Sequence, residues 1–207
     1  MIRPGMMQPG MIQPGMIQLG VALGDLLAVL NDMKINYFIG GSVASATFGL
    51  PRQTNDVDIV ADLTPETAQR LCASLAGTFY ADPDDASAAV RSGRAFNAIH
   101  LRSAYKFDIF PVGANEYARS ELSRAQEIRP LLPGFEALRF RVCSPEDTIL
   151  SKLLWFRRGG EVSERQWRDI LGVINVQRER LDTGYLNDWA TRLGVGDLLN
   201  LAMEQEH

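Results

Sequence analysis

Two stretches decide the fold: Phe38-Ile39-Gly40-Gly41-Ser42-Val43-Ala44-Ser45, and then Arg52-Gln53-Thr54-Asn55-Asp56-Val57-Asp58-Ile59-Val60. Tyr37-Phe38-Ile39 reads as a short strand, the glycines interrupt it, and small residues from Val43 to Phe48 read as a helix. A turn at Leu50-Pro51-Arg52 leads into a second strand, Asp56 to Ala61. Alternation along that strand turns Val57 and Ile59 toward the core and projects Asp56 and Asp58 together from the other face. Two neighbouring carboxylates repel, and neither ionises comfortably without a cation. A divalent ion resolves that repulsion, and hard oxygen donors suit Mg2+. Glycines between a strand and a helix let backbone N–H groups approach a phosphate closely, and the Ser42 hydroxyl adds a donor. Gly-Gly-Ser alone is most often a tight turn, and Asp-x-Asp alone most often an exposed strand end or cap. The strand–helix–strand spacing that joins them can bring a phosphate cradle beside a metal site.

A third acid lies further on. In Lys106-Phe107-Asp108-Ile109-Phe110, Phe107 and Ile109 share one face, and Lys106, Asp108 and Phe110 share the other. An aspartate in so apolar a strand is costly unless it is paired, either with a cationic side chain or with a metal. Three acids on neighbouring strands would suit a two-metal site, in which cations bridge phosphates and lower the pKa of an attacking hydroxyl.

Working outward, Val21, Leu23, Leu26, Leu27, Leu30 and Met33 fit one helical face. Thr64 followed by Pro65 starts a helix to about Ala76. Ala95–Leu101 and Tyr105–Val112 read as two strands close enough to form a hairpin, followed by a helix near 115–125 and a strand near 137–142. Ser144-Pro145-Glu146-Asp147 has the form of an N-cap, a first-position proline and an acidic first turn. Gly159-Gly160 ends that helix, Ser163 caps the next, and the chain stays helical to its end. The expected fold is α/β (α+β), a small mixed sheet flanked by helices with a C-terminal helical tail. Residues 1–20 repeat every five, with Gly at 5, 10, 15 and 20, and read as a flexible Pro/Gly/Met leader. Residues 21–142 read as the core and 143–207 as a helical tail packed on it.

Composition narrows the classes. The 207 residues, 46% hydrophobic and 22% charged, suffice for one domain without a disulfide or metal staple. Cys72 and Cys143 are far apart and lack zinc-module spacing, which suits a reducing cytoplasm. A net charge of −4 argues against a general nucleic-acid coat protein but leaves room for a local basic site. No apolar run approaches a membrane span of roughly 18 residues, so no membrane partner is expected. Only three of 21 cationic residues are lysines, Lys34, Lys106 and Lys152.

The Gly-Gly-Ser, the Asp-Val-Asp and the later strand Asp resemble the signature of the nucleotidyltransferase fold superfamily, the polymerase-beta-like group. The Arg-x-Thr-x-Asp-Val-Asp run, Lys-Phe-Asp-Ile-Phe and Ser-Pro-Glu-Asp-Thr-Ile-Leu-Ser-Lys-Leu resemble its AbiEii/MenT-like branch of toxin-type and uncharacterised bacterial enzymes. The resemblance spans roughly residues 21–180. It implies that Asp56, Asp58 and Asp108 bind Mg2+ or Mn2+, with Asp108 helping to activate the acceptor hydroxyl. It further implies nucleotide binding by Gly40, Gly41, Ser42, Arg52, Thr54 and Asp169, and a catalytic Lys152 that neutralises phosphate charge. The implied activity is transfer of a nucleoside monophosphate from an NTP to a hydroxyl of RNA or tRNA, protein or a small molecule, with pyrophosphate released. Alternatives are a toxin using the same chemistry, held by a cognate antitoxin, and a non-catalytic partner-binding protein that keeps the fold. The chain is short for the toxin pattern, with little after the second tail helix.

Other residues carry less. Helical spacing leaves Lys152 facing either a cleft or solvent. Arg157, Arg158, Arg165 and Arg168 fit a solvated, salt-bridged turn better than a phosphate cradle, because Glu161 and Glu164 interleave them. Trp167 and Trp189 read as helix–helix core, whereas Trp155, three residues from Lys152, offers a base-stacking surface. His100, between Ile99 and Leu101, reads as structural.

Overall fold

The computed structural model describes residues 14–52, 54 and 56–205. Residues 1–13 of the expected leader, and Gln53 and Asn55, lie outside the described residues.

The chain order is α1 (Pro14–Asp32), β1 (Tyr37–Ile39), α2 (Gly41–Phe48), β2 (Asp56–Ala61), α3 (Pro65–Leu75), β3 (Phe79–Tyr80), α4 (Pro83–Ser92), β4 (Phe96–His100), β5 (Lys106–Pro111), α5 (Glu116–Arg124), β6 (Gln126–Ile128), β7 (Phe140–Val142), α6 (Pro145–Arg158), α7 (Glu164–Gln177), a short 3-10 turn, α8 (Thr183–Leu193) and α9 (Gly196–Glu204). The strands form one seven-stranded mixed sheet in the order β3-β4-β5-β2-β1-β7-β6. β2 runs parallel to β5 and β1 parallel to β7, while the other neighbours are antiparallel.

The first helix departs from the expected leader. It begins at Pro14, so Pro14–Gly20 are helical, and Leu19 is fully buried. Proline at a first helical turn loses no hydrogen bond, because that N–H has no partner in the helix. Leu19, Leu23, Leu26 and Leu30 then make a continuous buried stripe. Val21, placed on that face by spacing, is half exposed. The Tyr105 hydroxyl donates to the Gly15 carbonyl at 2.7 Å, fixing the start of the helix. Against expectation, the 18 residues Gly15–Asp32 are long and apolar enough to cross a membrane by length and composition. Their buried stripe instead packs into the main core beside Val57, Ile59, Phe107 and Ile109.

Gly20 is the closest point of this packing, since a β-carbon there would lie 1.9 Å from the Gly134 carbonyl oxygen. Gly20→Ala improves local helix propensity but forces two backbones apart, so a net loss of about 2 kcal/mol is expected. Urea denaturation of the variant measures it; an unchanged midpoint would remove this contact from the account.

Two cores result. One collects α1, α3, α4 and the inward residues of the sheet, and the other collects α5–α9 around Ile149, Leu153, Ile170, Val173 and Trp189. Phe48 of α2 packs against both, and the Gln177 side chain donates to its carbonyl at 2.8 Å. Side-chain N-caps start the helices as expected at Thr64, Ser144 and Ser163. Asp82 caps α4, a helix that the sequence pattern did not reveal. Both cysteines are free and buried.

Candidate active site

Parallel pairing of β2 and β5 sets Asp56 opposite Lys106 and Asp58 opposite Asp108. Because Val57, Ile59, Phe107 and Ile109 are fully buried in the main core, the alternate residues emerge on the other face of the sheet. There a cleft of about 1350 Å³ opens between the sheet and the helices of the second core. Gly40, Gly41, Ser42, Arg52, Thr54, Asp56, Asp58 and Lys152 all line it. Ten residues were named from the sequence, and eight of them share this wall. The remaining two, Asp108 and Asp169, are bonded to or paired with residues of the same constellation.

The loop–acid junction is tight. Gly40 donates its N–H to the Asp58 carbonyl at 2.9 Å. Gly41 has φ +54°, and a β-carbon there would fall 1.7 Å from the Asp58 carboxylate oxygen. Only glycine serves on both counts, the backbone conformation and the space.

The acids are unequally compensated. Thr54 donates its hydroxyl to Asp56 Oδ1 at 2.8 Å, and Lys106 Nζ donates to Asp108 Oδ2 at 2.7 Å. Asp58, by contrast, is pushed up to about 6, first by burial and then by the charges of Asp56 and Asp108. Lys152 and Lys106 only partly offset this. Among the described residues, no three His, Cys, Asp or Glu side chains gather into a ready-made metal cage. The pairing of Asp108 with Lys106 is the cationic alternative that the sequence left open.

Asp169 organises the cations. Its Oδ1 accepts from Arg52 Nε at 2.9 Å, and its Oδ2 accepts from both Arg52 Nη2 and Lys152 Nζ at 2.8 Å. Arg52 Nη2 also donates to the Ser42 hydroxyl. These two bases hold the Asp169 carboxyl below the usual carboxylate range despite its burial. Lys152 is therefore buried on the cleft side of α6, at 7% exposure, rather than solvated. Asp169 links β2's approach loop, α6 and α7, and it acts here as a holder of cations.

Farther along the cleft, Trp155 is half exposed and meets Phe110 edge-on at 6.2 Å between ring centroids, with the Arg158 guanidinium 5.5 Å from its own ring centroid. Arg94 and Arg165 also line the cleft. Arg157 is bound to Glu161 and Asp197, as a salt-bridged turn requires. Trp189 is buried, Trp167 stacks near Phe156, and His100 is buried with Nδ1 2.7 Å from the Ser103 hydroxyl.

One stretch of the lining carries none of the site residues named from the sequence. Tyr117 and Glu121 of α5 and Thr148 and Ser151 of α6 form it. A signal existed in the stripe Tyr117–Ala118–Glu121, which puts an acid on the buried face of a helix. Arg124 fixes that helix, donating to Glu146 at 2.9 Å and stacking over Tyr185, whose hydroxyl donates to Asp147 at 2.6 Å.

No protein-family model matches the sequence, and no curated protein sequence matches it. Solved structures do. The solution structure of the antibiotic-resistance factor ANT(2'')-Ia aligns with a TM-score of 0.53 at 14% identity, covering 91% of this chain and 98% of that one. ANT(2'')-Ia in complex with adenylyl-2''-tobramycin aligns at 0.55 and 14% identity, covering 86% and 97%. An antigenic nucleotidyltransferase-like protein from Paracoccidioides brasiliensis aligns at 0.51 and 16% identity, covering 92% and 93%. The likeness shows a shared fold over nearly the full length of each chain.

Proposed function

We propose that this protein transfers a nucleoside monophosphate from an NTP to a hydroxyl acceptor, releasing pyrophosphate. The observation that carries this is the contact of Gly41 with Asp58, where an anion-binding turn abuts a carboxylate whose neighbouring charges leave it uncompensated. Phosphate binding falls to the Gly40–Ser42 backbone at the start of α2, the Ser42 hydroxyl, Arg52 and Lys152. Asp169 keeps both bases aimed into the cleft. Thr54 orients Asp56.

Asp56, Asp58 and Asp108 would hold a divalent cation, Mg2+ or Mn2+, through their hard oxygen donors; the fit rests on buried Asp58, whose charge the nearby lysines only partly offset. When bound, such an ion supplies charge neutralisation to the phosphates. Asp108, paired opposite Asp58 in the sheet, would take the acceptor's proton. Holding reactants and phosphates in one geometry is the main catalytic contribution of the chain itself.

Arg158 and Arg165 add positive charge to the lining, which suits an acceptor that itself carries phosphate, such as an RNA or tRNA end. The motif resemblance to the AbiEii/MenT-like branch leaves the acceptor open. It also raises a toxin role with a cognate antitoxin, tested by growth arrest on expression that Asp58→Ala abolishes.

Thermal melts with NTP and Mg2+, together and singly, test the reading. Joint addition is expected to raise Tm well beyond either alone, and EDTA to reverse it. No shift with any NTP would count against it. Asp169→Asn leaves the buried Lys152 charge without its partner and is expected to cost about 3 kcal/mol. NTP, supplying phosphate to the released bases, should recover more stability in this variant than in the wild type; equal recovery in both would contradict the cation-holding role.

A further inference from the structure

The cleft lining holds a carboxylic acid that phosphate transfer does not use, Glu121. The cleft floor is the sheet face, Phe38, Val60 and Phe110, and Glu121 and Ser151 lie in its wall. Resting on the nucleotidyltransferase reading, we infer that Glu121 and Ser151 read the edge of the incoming NTP's base and favour adenine and cytosine.

Glu121 is 6% exposed, and among the described residues no salt bridge reaches it. Ser151 Oγ donates to Oε1 at 2.6 Å, marking Oε1 as the acceptor oxygen, and the Tyr117 hydroxyl also bonds this carboxyl. Burial, reinforced by the nearby Asp147 charge, pushes this carboxyl up to about 8, against the opposing pull of the Ser151 and Tyr117 hydroxyls. At neutral pH the pair thus offers an O–H donor beside an acceptor. Adenine and cytosine present a basic ring nitrogen next to an exocyclic amine, which complements that pattern, whereas guanine and uracil offer a weaker carbonyl beside a ring N–H. The apolar floor suits a flat ring. Ser151 and Lys152 are consecutive on α6 and both line the cleft, so the phosphate-holding end and Glu121 belong to one continuous pocket.

The other titratable groups around Glu121 are Tyr117 on its own helix, Cys143 after β7 and Asp147 on α6. Burial pushes Tyr117 and Cys143 well above their ordinary values, and Asp147 is held by Arg124, Tyr185 and Ser144. Ionisation of Glu121 therefore governs the range near pH 8.

Calorimetric titration of α,β-methylene analogues of ATP, CTP, GTP and UTP, with Mg2+, tests the inference in wild type, Glu121→Gln and Glu121→Ala. At pH 7 the ATP and CTP analogues should bind about tenfold tighter than the other two. Glu121→Gln, which presents the same donor beside the same acceptor, should keep that order, and Glu121→Ala should lose it. Raising the pH from 7 to 9 should weaken ATP binding in wild type but not in Glu121→Gln. Equal affinity for all four bases, tightest binding of GTP, or an unchanged order in Glu121→Ala overturns the inference and leaves the transfer reading standing. Absence of binding by every analogue overturns both.

Discussion

Replacing Asp58 with asparagine is expected to reduce transfer by about a thousandfold or more, as loss of several kcal/mol of phosphate-charge stabilisation requires. The same change should leave the fold intact or make it more stable. Asp58 is raised to about 6 because burial, Asp56 and Asp108 all disfavour its anion. A carboxyl whose pKa is raised on folding favours the native state fully below its unfolded value, and that contribution is lost as the pH rises through about 6. At pH 8 the native protein therefore bears the cost of the buried anion, and asparagine removes it. Three measurements on one variant check this: Tm at pH 8 equal to or above wild type, no Mg2+-dependent rise in Tm, and lost activity. An unfolded variant, or one that keeps its Mg2+ response, contradicts the role given to Asp58.

Gly41→Ala is expected to be comparably damaging by a different route. The added carbon meets the Asp58 carboxylate at 1.7 Å, and φ +54° is a strained conformation for alanine. Either the turn or Asp58 must move, so both NTP binding and transfer should fall, together about a hundredfold or more. Stability should fall by about 1–2 kcal/mol from the backbone conformation alone. Gly40 provides the contrast. A β-carbon there would meet Phe38 at an ordinary 3.8 Å, and Gly40→Ala should keep much more of the activity. Steady-state kinetics of the two variants side by side settle the point. Equal losses would mean that the contact with Asp58 is not what makes this turn glycine-rich.

Much of this was legible in the sequence because the deciding signals are local. Period-two alternation in Asp56–Val60 and Lys106–Phe110 placed the acids on one face, and the β2–β5 pairing kept them there. Capping chemistry gave the starts of α3, α6 and α7. What stayed hidden depends on partners distant in the chain. The 117-residue separation of Arg52 and Asp169 carries no local trace, although two hydrogen bonds join them across the cleft. The Lys106–Asp108 pairing is local, yet residue order alone does not show that the Lys106 ammonium reaches Asp108 rather than solvent. Pro-Gly repeats disguised the start of α1, whose helix is supported by burial of Leu19 and the Tyr105–Gly15 bond rather than by propensity. Glu121 sits in a helix rich in polar residues, Glu116–Arg124, so its burial leaves no mark in composition and shows only in its spacing from Tyr117.

The central claim, transfer of the α-phosphoryl nucleotide unit, is tested most directly by paired labelling. Protein is incubated with cell extract and total RNA, with Mg2+ or EDTA, using each NTP labelled at either the α- or the γ-phosphate. The α-label is expected to become attached to an acceptor and the γ-label to leave as pyrophosphate. EDTA, Asp56→Ala and Asp58→Ala are each expected to prevent the attachment. Attachment of γ-label, or α-labelling that persists undiminished in both variants, would contradict nucleotidyl transfer.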